Sequence, residues 1–416
     1  MLTSIQHVLT DGLHALVYPL LPVIASELHL SYAQASLIRG VFNTAGGALQ
    51  LPAGILAERF GEWTLLVLGN AWLAAGVLGM GLVGSFYALL SVVLLGGIGA
   101  NVQHPVGTGL ISRAYDGPGR ARAIGTLNFS GDLGKLIAPA IAGSIAVVWG
   151  WRYALLCSGA VALLLIVSSW VWTRGRGFDR ASGHAATVAA AGRAQPDPAR
   201  SAPGVAADAL APTPAPAPTT AQGRGQGRAR GWGIKAPWAL AALVSIGVLD
   251  SSVRGATLTL LPFVLTAQGL GTGAISALYT VIFAGGAAGK FVCGAVADRF
   301  GTLPMIWATE ALTALSAVAF LVTPRWLLVP LALVFGFALN GTSSVLYAAV
   351  APMVDADRRS RVYGIYYTAT ICASALAPVM YGALGDHFGL APAFGLAALV
   401  TLLILPLSLS NRRYLK

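Results

Sequence analysis

The sequence predicts an all-α integral membrane protein with twelve transmembrane helices in two pseudo-symmetric six-helix bundles. Three observations predict it: a composition too apolar for a water-facing surface, twelve apolar runs of membrane-spanning length, and a motif written twice at a fixed offset. Of the 416 residues, 56% are hydrophobic and 10% charged, with a mean hydropathy of +0.73. Soluble domains carry roughly 25% charged residues, so lipid must solvate most of this chain.

The apolar runs fall near 5–27, 33–56, 64–84, 86–112, 121–147, 153–173, 237–262, 273–297, 303–323, 326–351, 361–385 and 390–409, each close to the ~20 residues a helix needs to cross the hydrocarbon core. The first run has no basic stretch ahead of it and is followed by further spans, so it reads as a retained helix and not a cleaved leader. Between the sixth and seventh runs the chain turns to Ala, Pro, Gly and Arg ("ARSAPGVAADALAPTPAPAPTTAQGRGQGRARG"), a composition that cannot bury enough surface to offset its ordering entropy. The expected organisation is a six-helix bundle over 1–173, a disordered cytoplasmic linker over 174–236 and a second bundle over 237–416.

Charge gives the orientation. With the linker left out, the side holding the termini receives Arg59, Arg113, Arg120, Arg122, Arg299, Arg358, Arg359, Arg361, Arg412, Arg413 and Lys416, against Arg152 and Arg325 opposite. By the positive-inside rule both termini are expected in the cytoplasm, and the expected location is the cell's inner (plasma) membrane. The net charge of +11 is then a topology signal with some attraction to anionic lipid, and nucleic acid is not an expected partner. Cys157, Cys293 and Cys372 all lie inside apolar runs, which suits small packing residues and argues against disulfides or a metal cluster. No nucleophile elbow or metal spacing appears. "GGAAGKF" lacks phosphate-loop spacing and has Phe291 where Ser or Thr is needed. No enzyme activity, cofactor or metal is expected.

The repeated motif is "GILAERFG" (Gly54–Gly61) and "GAVADRFG" (Gly294–Gly301). An offset of 239 or 240 also superposes Asp11 on Asp250, Gly97 on Gly336, Asn101 on Asn340, Gly125 on Gly364, Pro139 on Pro378 and Gly143 on Gly382. One six-helix unit is used twice, an architecture in which substrate is held near the bilayer midplane between the halves.

These two loops resemble the motif between helices 2 and 3, and 8 and 9, of the major facilitator superfamily of transporters. The resemblance implies a conformational latch made by Gly54, Glu58, Arg59, Gly61, Gly294, Asp298, Arg299 and Gly301, the acid capping a helix of the neighbouring bundle. The first acid is Glu instead of Asp, and Glu62-Trp63 and Thr302-Leu303 stand where the family usually places basic residues. Gly125, Gly134, Ala138, Pro139 and Gly143 in the fifth span resemble the family's antiporter motif, which implies export; the same spacing also suits an ordinary small-residue packing seam. Val93 replaces the arginine usual in drug exporters. "HVLTDGLHALVYPLLP" (His7–Pro22) with "GANVQHPVG" (Gly99–Gly107) is similar to the fosmidomycin-resistance group of exporters.

Ionisable residues inside spans are expensive and therefore functional candidates. They are Asp11, Arg39, Asp132, Lys135, Asp250, Arg254, Lys290 and Glu310, with His7, His14 and His104 beside them. Helical spacing puts His7, Asp11 and His14 on one face, pairs Asp132 with Lys135 and pairs Asp250 with Arg254; the pairs could equally be packing neutralisers. Asp11 and Asp250 are the first candidates for proton coupling, since the repeat puts them at equivalent depths facing one cavity, with Asp132, Glu310 and His104 in reserve. His7, His14, Arg39, Asn101, His104, Lys135, Arg254 and Asn340 are the candidate substrate contacts, and the cations among them favour a small anion. The expected activity is a monomeric, proton-coupled antiporter exporting a small drug-like or phosphonate-like compound; a proton-coupled importer of an organic anion would use the same residues.

Overall fold

The computed structural model describes residues 1–48, 56, 60–100, 102–114, 118–174, 234–355, 359–413 and 415. Gly54, Glu58, Arg59, Asn101 and nearly all of the expected linker lie outside them, as does the side chain of Asp298. The first half contains α1 (Leu2–Ala15), α2 (Val17–Glu27), α3 (Tyr32–Ala48), α4 (Glu62–Met80), α5 (Phe86–Gly97), α6 (Gln103–Ala114), α7 (Pro118–Trp149) and α8 (Trp151–Thr173). The second contains α9 (Pro237–Ala267), α10 (Thr272–Phe300), α11 (Thr302–Ala319), α12 (Leu328–Ala348), α13 (Arg359–Phe388) and α14 (Leu390–Leu409). Among the described residues ten helices are long and apolar enough to cross a membrane, with α1 and α2 forming one of them.

Two of the twelve expected spans are not described as continuous helices, for different reasons. The second is described only as far as Ala48 in α3. The fourth is divided: α5 stops at Gly97, residues Ile98–Ala100 turn, and α6 starts at Gln103. Glycine is a poor helix former, and "GGIGA" places three glycines where the chain breaks. Gly99 is also needed for contact, because a Cβ there would overlap the carbonyl of Gly69 in α4.

The repeat is visible in the backbone. Gly61 and Gly301 (φ 89° and 96°) precede α4 and α11, and Gly150 and Gly389 (φ 88° and 86°) precede α8 and α14. Gly269 (φ 78°) ends the turn after α9, and at the matching position after α2 stands His29 at φ 52°. A side chain in that region costs about 1–2 kcal/mol, and His29 is exposed with no compensating hydrogen bond among those described. His29→Gly should therefore raise thermal stability by about 1 kcal/mol, read as an upward shift of the unfolding midpoint in detergent; an unchanged or lower midpoint would show that the turn carries no strain.

Within the first half, polar side chains tie the spans together. Gln6 donates to Ser169 (2.7 Å), and Asn70 donates to Gln6 (2.9 Å) and Gln103 (3.0 Å), joining α1, α4, α6 and α8. The outward faces are apolar, as lipid contact requires, with Trp149, Trp172, Trp238 and Trp326 exposed near span ends. The last residues of the expected linker belong to the second half: Ile234 bridges Val354, and the Lys235 amide donates to the Met353 carbonyl at 2.9 Å.

The halves meet through α3 with α13, α7 with α10, and α2 with α9 and α10. The contact is tight at the side away from the termini. A Cβ on Gly40 would overlap the Ala375 carbonyl, one on Gly382 the Tyr32 carbonyl, and one on Gly143 the Ser276 side chain. At the same end Asp386, in the last turn of α13, accepts from the Tyr32 and Ala33 amides at the start of α3 (2.7 and 3.0 Å). An anionic cap on a helix N-terminus is favourable, and here it joins the two halves.

Candidate functional site

A cavity of about 370 Å³ lies between the halves. Its lining includes His14, Tyr18 and Arg39 from the first bundle and Arg254, Phe283 and Asn340 from the second. Asp132 and Lys135 of α7 and Lys290 of α10 complete its charged wall. Small residues bring these helices close enough to share it: Gly12 of α1 packs on Ala138 and Gly134 of α7, and a Cβ on Gly131 would overlap the carboxylate of Asp11.

The charged wall is a chain of alternating sign. His7 Nδ1 donates to the Leu127 carbonyl at 2.9 Å, which turns Nε2 toward Asp11 Oδ2 at 3.5 Å. His104 Nε2 lies 4.0 Å from Asp11 Oδ1, and the two imidazoles meet edge to face at 5.3 Å. Lys135 Nζ is 2.8 Å from Asp11 and 3.4 Å from Asp132. Lys290 Nζ donates to both oxygens of Asp132 at 2.6 and 2.8 Å, an ion pair that crosses from α10 to α7. Among these residues two carboxylates face two ammonium groups, so the acids and lysines of the chain balance in charge.

The second bundle is arranged differently. Arg254 is bonded to Asp250 one turn earlier on α9. Glu310 of α11 is 2% exposed, its Oε1 has no hydrogen-bond partner, and no cation lies within 4 Å of it among the described residues. Asp250, Arg254 and Tyr366 are the charged or titratable groups in electrostatic reach of it.

Several expectations need correction. Asp11 and Asp250 are not among the residues lining the cavity; Lys135 and Arg254, the cations paired with them, are, and Asp11 lies in the seam between α1 and α7 against Gly131. His14 does not join the Asp11 cluster but turns into the cavity, with its ring 4.6 Å from Phe42 and Nε2 3.4 Å from the Ala100 carbonyl at the break between α5 and α6. The shorter contacts of Asp132 and Lys135 are to Lys290 and Asp11, and their mutual contact is the longest of the three. Glu310 lies on a helix outside the cavity lining. Asn340 is in the lining and donates to the Gly336 carbonyl at 3.3 Å.

The motif glycines divide too. Gly134 and Ala138 make the α1–α7 seam, Gly143 meets the other bundle, and Gly125 has open space around it. Pro139 lies inside α7. In the second latch copy Gly294 has open space, Gly301 caps α11, and Arg299 is exposed at the end of α10 with its guanidinium 5.5 Å from the Phe300 ring.

Sequence reasoning gave no role to Lys290, Tyr18 or Asp386. Lys290 was visible as a buried charge, but its partner lies 158 positions away. Asp386 could have been found as the sole acid in the eleventh apolar run and its flank ("GALGDHFG").

Comparison with known proteins agrees with this architecture. The family model of the Major Facilitator Superfamily matches residues 3–271 and 243–414. The chain is 31% identical to the fosmidomycin resistance protein of Escherichia coli (strain K12) over 173 residues, 40% of this chain and 42% of that protein. It is 29% identical to a probable L-galactonate transporter of the same organism over 37% of this chain and 34% of that one. The matched parts thus span less than half the length of these two relatives. A probable 4-methylmuconolactone transporter of Cupriavidus pinatubonensis (strain JMP 134 / LMG 1197) is 25% identical over 92% of this chain and 82% of that one. The fold is similar to the crystal structure of a bacterial homologue of the human lysosomal transporter Spinster in an inward-facing, occupied conformation, with a TM-score of 0.77 at 15% identity, over 99% of this chain and 96% of that chain. With a family model matched across nearly its whole length and a bundle of apolar helices to go with it, this multi-pass membrane protein belongs to the major facilitator superfamily of transporters.

Proposed function

We propose that the chain carries a small organic anion across the inner membrane by alternating access, coupled to protons, with both termini in the cytoplasm. The observation that supports this most is Arg39. It lines the cavity, is 5% exposed, and has no carboxylate within 4 Å among the described residues, while Nε and Nη1 lack any acceptor. A guanidinium that deep is costly without an anion beside it. Arg39→Ala should abolish saturable anion uptake into proteoliposomes while the protein still inserts and keeps its helix content; uptake at the parental rate would refute the reading.

The position of the acids gives the coupling a sign. Asp250 competes with any anion for Arg254, and Asp11 with any anion for Lys135. Protonating either acid frees the cation in front of it, so proton and anion favour each other's binding and travel in the same direction. Asp250 holds the Arg254 guanidinium and Glu310 is buried beside them with no cation within 4 Å among the described residues, so this group is where we place the proton. An inward proton gradient then drives uptake. Export by antiport is the second reading, favoured by the fosmidomycin resistance relative and by the small residues of α7.

Anion affinity measured against pH separates the two readings: it rises as pH falls for co-transport and declines for antiport. Glu310→Gln should flatten that dependence with binding retained. A full pH dependence in this variant would move the proton site to Asp11.

A further inference from the structure

The blind end of the cavity is built differently from its charged wall. Lys135, Lys290 and Arg254 each face a carboxylate, whereas Arg39 faces aromatic rings. Its guanidinium lies 4.1 Å from the centroid of Tyr18 and 5.6 Å from that of Phe42, and its Nη2 donates to the Tyr18 hydroxyl at 3.0 Å. Tyr279 stacks on Tyr18 at 5.9 Å and 20°, and Phe283 stands 6.4 Å from Tyr18 and 6.0 Å from Tyr279. The Tyr279 hydroxyl donates to the Leu258 carbonyl. The Tyr279 proton is therefore engaged while Tyr18 accepts from Arg39 and keeps its own proton to donate, so this end offers a ligand one planar cation and one phenol beside it among ring surfaces.

Resting on the anion reading above, we infer that this end is a subsite for a planar unsaturated carboxylate, aromatic or conjugated, with its carboxylate on Arg39 and its ring plane against Tyr18 and Phe283. Three features carry the choice. A guanidinium is planar and matches a carboxylate better than a point charge does. Aromatic side chains add an orientation-dependent attraction for another π system that a saturated ring of similar size does not receive. A tetrahedral phosphonate or sulfonate spreads charge over three oxygens and would need donors around all of them, whereas this end supplies them from one side, Arg39 and the Tyr18 hydroxyl bonded to it, with Tyr279 committed to Leu258.

The test is isothermal titration of the full-length protein in detergent with benzoate, cyclohexanecarboxylate and methylphosphonate at one pH. Benzoate should bind roughly tenfold tighter than cyclohexanecarboxylate, with methylphosphonate weaker than benzoate, and Phe283→Leu should bring the two carboxylates close together. Equal binding of the carboxylates by the parent, or tightest binding of methylphosphonate, overturns the planar subsite and leaves the anion reading standing. Binding of none of the three by protein that keeps its helical signal and cooperative unfolding overturns both. An Arg39→Lys variant that retains the full preference for benzoate would show that the guanidinium plane plays no part.

Discussion

Lys290→Ala should lower stability by about 1–2 kcal/mol and cut transport at least roughly tenfold. Lys290 gives Asp132 a bond to each oxygen, whereas Lys135 reaches Asp132 only at 3.4 Å and is closer to Asp11. Without Lys290 two carboxylates would share one ammonium in a wall where Asp132 is nearly buried. Removing one partner of such a pair costs more than removing both. The double variant Asp132→Asn with Lys290→Met should accordingly recover most of the lost stability but not the transport. Denaturation in detergent reads the first quantity and proteoliposome uptake the second. A single variant as stable as the parent, or a double variant no better than the single, would show that the pair is not what joins α7 to α10.

Asp386→Ala should open the side away from the termini. The carboxylate makes two bonds to the first amides of α3 across the bundle interface, and it can do so only while that side is closed. The site is exposed, so the cap is worth about 1–2 kcal/mol, and its loss should shift the balance of access states by roughly tenfold. A cysteine at Ser276, in a protein otherwise lacking cysteine, would report this as faster labelling by an impermeant thiol reagent added to that side. Unchanged labelling would mean that the glycine seam alone holds the end shut.

The architecture was legible because it rests on quantities that add along the chain: hydropathy over twenty residues, charge over loops, and identity at a fixed offset. The ion pairs within one helix were legible for the same reason, as Asp250 and Arg254 illustrate. What escaped was whatever depends on a second helix. Asp11 looked free of cations because Lys135 is 124 positions away, and only the glycines at 12, 131 and 134 bring the two together. Lys290 and Asp132 belong to different halves. His14 and Asp11 share a helix face in projection, yet three residues turn a side chain far enough to enter a different space. The break in the fourth span was written as three glycines, but glycine inside an apolar run also serves close packing, and spacing does not separate the two uses.

The glycine seam has an electrical consequence. Where main chains meet with no room for a Cβ, no file of water can thread the gap, so this end insulates. On the other side of it Lys135 and Lys290 of the cavity have side chains 31% and 37% exposed, and in the proposed alternating-access cycle water enters the cavity from that side. The membrane voltage then falls across a layer much thinner than the ~30 Å hydrocarbon core, and moving one elementary charge through it is worth about 2.3 kcal/mol per 100 mV. Arg39 stands at the inner edge of that layer. When the protein switches sides, the layer passes over Arg39, so the empty carrier displaces its positive charge through the field. An anion held against the guanidinium cancels that charge and the proton bound with it restores it, so in the proposed one-to-one co-transport the loaded and the empty carrier move the same net charge through the layer.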